Sequence, residues 1–216
     1  MPPRRTSPLL KVSIALVALV GLGFLFIRSL DDARAEPYTL RPEHLGPWTL
    51  VADPEAPGDR PLVLLSPPPE MPMRLFRQVF SRAGESLSTP SAPGIGLVLA
   101  EELRGSPIPV DELLTLAREA GLERARLVPR CMGYRRASQP GSTRQLYFVW
   151  FDLPEFAVFR QALVDRVMEA GGTGFEAGAL SPVMMLAAAP DFARWMPIVA
   201  DAGKDCVAPV TTAAQD

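Results

Sequence analysis

The longest run of apolar residues in the chain lies near the amino end. Val12–Ile27 contains no charged residue, and Ser13 is its one strongly polar position. At about 1.5 Å per residue a helix over this run spans roughly 24 Å, and Lys11 and Arg28 can extend their charged groups outward toward the edges of a ~30 Å hydrocarbon core. The pattern therefore predicts a single membrane-spanning helix over residues 12–30.

Two interpretations of this segment stay open: a retained anchor, and a signal peptide that is removed. A basic region, residues 1–11, precedes the apolar run, and Ala33-Arg34-Ala35 has the small-x-small form that a signal peptidase accepts. Asp31 and Asp32 offset the arginines that follow the run, whereas no acid offsets the basic residues before it, so we expect a cytoplasmic amino end. Either interpretation predicts export of everything after residue 36.

Prolines recur every few residues from position 37 to position 72. Because proline is excluded from helix interiors, this spacing predicts an extended, proline-rich arm over residues 36–94. Two short apolar pieces, Trp48–Ala52 and Leu62–Leu65, are each able to add a strand to a sheet edge. The alternation of side chains over Arg74–Arg82 predicts a further strand.

Residues 95–189 predict an α+β sandwich domain. Periodicity and turn signals give the order strand, helix, strand, strand, helix, strand, over Ile95–Leu103, Val110–Ala120, Arg126–Arg136, Thr143–Asp152, Glu155–Ala170 and Val183–Ala189. That order is the order of a ferredoxin-like split βαβ domain, with two helices on one face of an antiparallel sheet. Residues 190–216 are expected to form a carboxy-terminal helix and tail.

The predicted strand over Thr143–Asp152 has apolar residues without interruption from Leu146 to Phe151. A strand that faces solvent on one side alternates apolar and polar residues, so this run indicates a central strand covered on both faces. The proline-rich arm, a helix beginning near Asp191 and a partner protein are the three candidates for the second cover.

The composition of the chain excludes several kinds of metal site. The chain has 216 residues, a formal net charge of −2, one histidine and two cysteines. Zinc sites built from four cysteines or several histidines are therefore excluded within one copy, and no cofactor is expected. We interpret His44, the only histidine, as an exposed loop residue, and we find no nucleophile elbow or phosphate loop. The chain is predicted to be non-catalytic and to bind no nucleic acid.

The two cysteines, Cys131 and Cys206, are widely separated in sequence and lie in the exported part of the chain. Thiols commonly oxidise in a bacterial periplasm, so three interpretations stay open: a structural disulfide, two isolated reduced thiols and a redox pair. A disulfide would tether the tail to the predicted sheet.

Basic residues concentrate over residues 123–144, where Glu123 is the only acid. The arginines of this stretch are Arg124, Arg126, Arg130, Arg135, Arg136 and Arg144. Strand alternation predicts that Arg124, Arg126 and Arg130 share one face. We interpret the stretch as a contact surface for an acidic protein partner or for anionic lipid headgroups, against the alternative of a solvated face balanced by acids elsewhere in the fold.

No motif in the sequence identifies a family. The arginine-rich, lysine-poor composition is typical of a GC-rich bacterial genome, so we expect an inner-membrane protein with its main domain in the periplasm. The expected function is that of a non-catalytic accessory subunit that docks on other membrane protein subunits, as in respiratory, photosynthetic or secretion assemblies. The alternative is a protein cleaved at Ala35 that acts as a free ligand-binding or envelope assembly factor.

Overall fold

The amino-terminal segment forms one long helix, α1, over Pro8–Ala35 in the computed structural model of the chain. Within it, Val12–Ala35 is long and apolar enough to cross a membrane or to serve as a signal sequence. Its apolar side chains are exposed, to 71% for Val17 and 72% for Leu19. The structure describes residues 8–56, 60–83, 86–106, 108–139, 142–189 and 198–213, and the side chains of all of these except 8–11, 137–139 and 142–144.

The rest of the described chain builds an eight-stranded sheet with helices, which confirms the predicted α+β class. The strands are β1 Tyr38–Leu40, β2 Thr49–Ala52, β3 Pro61–Ser66, β4 Ile95–Leu99, β5 Val128–Gln139, β6 Ser142–Asp152, β7 Val183–Ala188 and β8 Cys206–Thr212. The helices after α1 are α2 Glu70–Ala83, α3 Val110–Glu119, α4 Pro154–Glu169 and the short α5 Ala202–Asp205. The strand order is β1-β8-β5-β6-β7-β4-β3-β2, and only the β1–β8 pair is parallel.

The predicted ferredoxin-like order is not confirmed. In a split βαβ unit another strand separates the strands before and after a helix, whereas β6 pairs directly with β7 here, and the two are antiparallel. Helix α4 leaves from the end of β6, and the long connection after α4 returns the chain to that same end. Strand β7 therefore begins opposite Trp150 and runs antiparallel to β6. The helices α3 and α4 themselves, and the β5–β6 hairpin, form where the pattern predicts them.

A separate proline-rich arm is not confirmed either. The stretch supplies β1, β2 and β3 to the sheet, and β1 and β2 form its two edges. Trp48 packs edge-on against Phe151 of β6, with ring centroids 5.3 Å apart. The prolines therefore interrupt the strands and keep them short without preventing them from pairing.

The strand predicted over Arg74–Arg82 is wrong, because this segment lies within helix α2. Met71, Leu75 and Val79 recur every four residues, and each is at most 1% exposed. Pro72 falls in the first turn, where a missing N–H does not cost a helical hydrogen bond. Over so short a stretch, the pattern of apolar residues fits both the two-residue period of a strand and the 3.6-residue period of a helix.

The tail prediction also needs correction. Cys206–Thr212 forms β8, which pairs with β1 on one side and β5 on the other. The helix predicted to begin near Asp191 falls on residues 190–197, outside the described residues, as does the turn at Pro140-Gly141. The tail thus occupies an interior position in the sheet.

Both faces of β6 are buried, as the apolar run predicts. Tyr147, Val149 and Phe151 point into the main core beneath the helices, while Leu146 and Phe148 join a second cluster with Ile198. Phe148 lies directly over Gly133 of β5, where an added Cβ would come within 2.2 Å of the ring. The chain near Ile198 therefore covers part of the second face of β6. Glycine at position 133 leaves the space that the Phe148 ring needs to lie flat on the sheet.

A buried arginine joins α4 to the rest of the core. Arg160 is 1% exposed, and its guanidinium forms a bidentate pair with Glu102 at 2.6 and 3.1 Å. The remaining N–H groups donate to the carbonyls of Leu97, Glu176 and Ala177. All five donors of the side chain are thereby used, which offsets the cost of removing its charge from water.

We expect R160M to lower the free energy of unfolding by about 3–5 kcal/mol, because it leaves Glu102 as an unpaired, largely buried charge. The control is R166M on the same helix, where the partly exposed Arg166 pairs with Glu112 and Glu169 and the loss should be much smaller because solvent screens these pairs. Urea denaturation of the full chain in detergent measures both. An R160M protein as stable as R166M would contradict a structural role for the pair.

Candidate functional site

The end of α1 meets the sheet at a cluster of arginine and tyrosine side chains that we call the anchor joint: Arg34, Arg82, Tyr38, Tyr134 and Tyr147. The guanidinium of Arg34 lies 5.3 Å from the ring centroid of Tyr134 and donates to the carbonyl of Ala83 at 3.2 Å. The rings of Tyr134 and Tyr147 are 4.9 Å apart. All three tyrosines of the chain belong to this cluster.

Arg82 forms the second half of the anchor joint. Its guanidinium lies 4.3 Å from the ring centroid of Tyr38 and donates to the carbonyls of Glu36 and Pro37 at 2.7 and 3.2 Å. These bonds fix the chain that leaves α1 against the last turn of α2. Cations stacked on aromatic faces gain strength when they are withdrawn from water, and both guanidiniums are largely covered.

The hydroxyls of Tyr38 and Tyr147 stay neutral. Burial raises the pKa of Tyr147 to about 12, and the nearby guanidinium of Arg34 opposes that rise. Burial likewise raises the pKa of Tyr38, against the opposing charge of Arg82. The joint is therefore held by stacking and hydrogen bonds to carbonyls, with no tyrosinate to neutralise the arginines. No sequence pattern predicts this joint, and the one available signal is the position of Arg34 just beyond the apolar run Val12–Ile27.

The register of the sheet shows which end lies beside α1. β1 leads the chain away from α1, β8 is parallel to β1, and β5 is antiparallel to β8. The end of β5 and the start of β6 therefore lie at the same end of the sheet as α1, which we call the anchor end. The start of β5 and the end of β6 lie at the opposite, distal end.

The arginines over residues 124–144 divide between these two ends. Arg135, Arg136 and the backbone of Arg144 lie toward the anchor end, and the side chain of Arg144 is outside the described residues. Arg124 ends a 3-10 helix, Arg126 lies in the loop before β5, and Arg130 lies near the start of β5, all at the distal end. The structure thus separates a group that the sequence presents as one stretch.

The prediction that Arg124, Arg126 and Arg130 share one face is wrong. Arg124 and Arg126 precede β5, and a bulge between Pro129 and Cys131 breaks the alternation at Arg130. Arg130 stacks over Trp150 at 5.2 Å and lies 3.6 Å from Asp152. Arg124 and Arg126 instead line a cleft of about 430 Å³ together with Trp48.

Arg135 holds the carboxy-terminal tail in place. It forms a bidentate pair with the buried Asp205 at 2.6 and 2.8 Å and also donates to the carbonyl of Val199. The next residue after Asp205, Cys206, forms a disulfide with Cys131 of β5. The disulfide and the ion pair together fix the start of β8, so Arg135 is unavailable to a partner.

The expectation of an exposed His44 is wrong. His44 ends a short 3-10 helix over Pro42–His44 and is 7% exposed. Within the part of the chain that the structure describes, no group of three or more His, Cys, Asp or Glu residues is arranged to hold a metal ion.

Compared with known proteins, the chain matches no family model, no curated protein and no solved structure.

The Arg135–Asp205 pair predicts a specific loss of stability in acid. The hydrogen bonds from Arg135 hold the pKa of Asp205 below its usual value, so the pair stabilises the fold fully above the unfolded value of about 3.9. That contribution is lost as the pH falls through the lower pKa of the folded state. Urea midpoints measured from pH 7 down to pH 2 should fall more steeply for the wild type than for D205N. D152N, at an exposed carboxylate, should follow the wild type, and a D205N profile as steep as the wild type would contradict the role of the pair.

Proposed function

We propose that this protein is a non-catalytic, membrane-anchored accessory subunit whose main domain lies in the periplasm and docks on a larger membrane protein complex. The observation that carries the proposal is the anchor joint. A helix with a fully exposed apolar surface is tied to the domain by side chains at its last turn, so helix and domain are built as one unit. Such a surface is stable in contact with lipid or with other membrane helices.

The anchor joint favours retention of α1 over its removal. Cleavage after Ala35 would take Arg34 away, and with it the guanidinium that stacks on Tyr134 and binds the carbonyl of Ala83. The tyrosines would then lose a partner in a largely buried site, which costs stability. A free exported protein has no need of contacts from the segment it loses.

The division of the arginines supports two kinds of contact. Arg136 and Arg144 lie at the anchor end of the sheet, where anionic lipid headgroups attract basic residues by about 1 kcal/mol each. Arg124 and Arg126 lie at the distal end, beyond the reach of the bilayer, beside the cleft that Trp48 lines. Arginine is one of the residue types enriched where proteins meet, and both of these arginines are exposed.

The first test is native electrophoresis of membranes from the native host, solubilised in mild detergent and probed for this chain. We expect migration in an assembly much larger than the 23.4 kDa chain, with the peptide that contains Val12–Ile27 present by mass spectrometry. Migration as a monomer that begins at Glu36 would overturn the proposal and favour the free exported factor.

A second test addresses the distal arginines. R124Q/R126Q should reduce the share of the chain that migrates in the assembly, and the reduction should grow with ionic strength because the contact is between charges. R60Q/R104Q removes the same charge from two exposed arginines that do not line this cleft and should leave that share unchanged. Arg135 is left intact because its substitution would unfold the tail. Equal attachment of the two variants would remove the distal arginines from the docking surface.

A further inference from the structure

A second cleft, of about 310 Å³, lies between α2 and the chain that follows β1. Arg41 and His44 line one wall, and Arg74, Arg77 and Gln78 of α2 line the other. We call it the basic cleft. Its volume is at the lower end of the range for small-molecule sites, enough for a small anion and too little for a dinucleotide.

The positive charge of the basic cleft is largely uncompensated. None of the described residues that line it is acidic. Among the contacts of the described residues, Arg74 has no ion pair, Arg77 contacts the sulfur of Met73, and Arg41 lies 3.6 Å from the exposed carboxylate of Glu43. Three arginines therefore line one cleft with no acidic residue among its described lining.

His44 contributes a largely buried imidazole to the wall of the cleft. The residue is more than nine-tenths buried, and its Nδ1 atom has no hydrogen-bond partner. A buried polar group without a partner costs about 1–3 kcal/mol, so folded proteins rarely keep one.

The walls of the cleft are fixed before any ligand arrives. The side-chain amide of Gln78 bonds the backbone of Thr39 twice, accepting from its N–H at 3.0 Å and donating to its carbonyl at 2.9 Å. This pairing occupies the outer edge of β1 and sets α2 at a constant distance from it. Buried Leu75 and Val79 hold the opposite face of α2 in the core. A site with fixed walls binds with little loss of conformational entropy.

From these observations we infer that the basic cleft binds a small anion that carries a phosphate group. The planar fork of a guanidinium donates two parallel hydrogen bonds to phosphate oxygens, and three such groups match a doubly charged anion. The cleft serves an anchored subunit and a free exported protein alike, so the inference does not rest on the proposed function.

The position of the cleft favours an anion from solution. Arg82 contacts Glu36 and Pro37, whereas Gln78 contacts Thr39, so α2 runs back toward α1 as the chain leads away from it. At about 1.5 Å per residue, Arg77 and Arg74 lie roughly 7 and 12 Å farther along α2 from the anchor joint than Arg82 does. A soluble phosphorylated molecule reaches this position more readily than a lipid headgroup, which carries the same phosphate chemistry.

The test is calorimetric titration of the full chain in neutral detergent with inorganic phosphate and with glycerol 3-phosphate. We expect binding that weakens with added salt and that is about tenfold weaker or more in R74Q/R77Q. R60Q/R104Q carries the same change in charge and should bind as the wild type does. Arg74 and Arg77 are exposed, and circular dichroism and thermal unfolding check that R74Q/R77Q is folded; R41Q provides a second variant from the other wall.

A parallel arm separates the two sources of phosphate. The full chain is placed in nanodiscs of phosphatidylcholine with and without phosphatidylglycerol, and its thermal unfolding is followed. A gain in stability with phosphatidylglycerol that R74Q/R77Q abolishes, without binding of the soluble anions, would support the phosphate site and assign it to a lipid headgroup. The inference would be overturned if the wild type neither bound the soluble anions nor gained stability with phosphatidylglycerol. It would also be overturned if the wild type and R74Q/R77Q gave equal responses. Neither result depends on whether the chain migrates in a large assembly.

Discussion

The buried Arg160–Glu102 pair is the constraint on which the main core depends. A charge withdrawn from water is tolerated only when every hydrogen bond it can form is satisfied, and the partners of Arg160 come from separate parts of the chain. Glu102 follows β4, Leu97 lies within it, and the carbonyls of Glu176 and Ala177 belong to the connection after α4. The pair thereby fixes how α4 lies on the sheet. It also holds the connection that returns the chain to the distal end and makes β7 antiparallel to β6.

The other side of the sheet depends on the disulfide and the Arg135–Asp205 pair. Both act at the start of β8, and β8 is the strand on which β1 is built. Because β1 leads directly out of α1, the position of the helix relative to the sheet follows from these links. The anchor joint then completes the connection by stacking Arg34 and Arg82 on tyrosines. The tail of the chain is therefore part of what holds its amino-terminal helix in place.

The arginines of this protein fall into classes that the net charge conceals. Arg160 and Arg135 form ion pairs with buried carboxylates. Arg34 and Arg82 stack on tyrosine rings and donate hydrogen bonds to carbonyls. Other arginines are not engaged in this way, among them Arg124, Arg126 and Arg136 of the basic stretch and Arg74 and Arg77 at the basic cleft. A near-neutral chain can thus present local positive surfaces, because its acids are paired elsewhere in the fold.

The sequence by itself determined the features that depend on neighbouring residues. The apolar run defines α1, the periodicities define α3, α4 and the β5–β6 hairpin, and the uninterrupted run from Leu146 to Phe151 indicates a strand buried on both faces. Only the tertiary structure decided the strand order, the place of the tail as β8, the helical state of α2 and which arginines remain available. These depend on contacts between residues far apart in the chain, such as Arg135 with Asp205 and Arg34 with Tyr134, and local periodicity carries no information about them. The basic cleft is of the same kind, because α2 and the chain around His44 meet only in the folded protein.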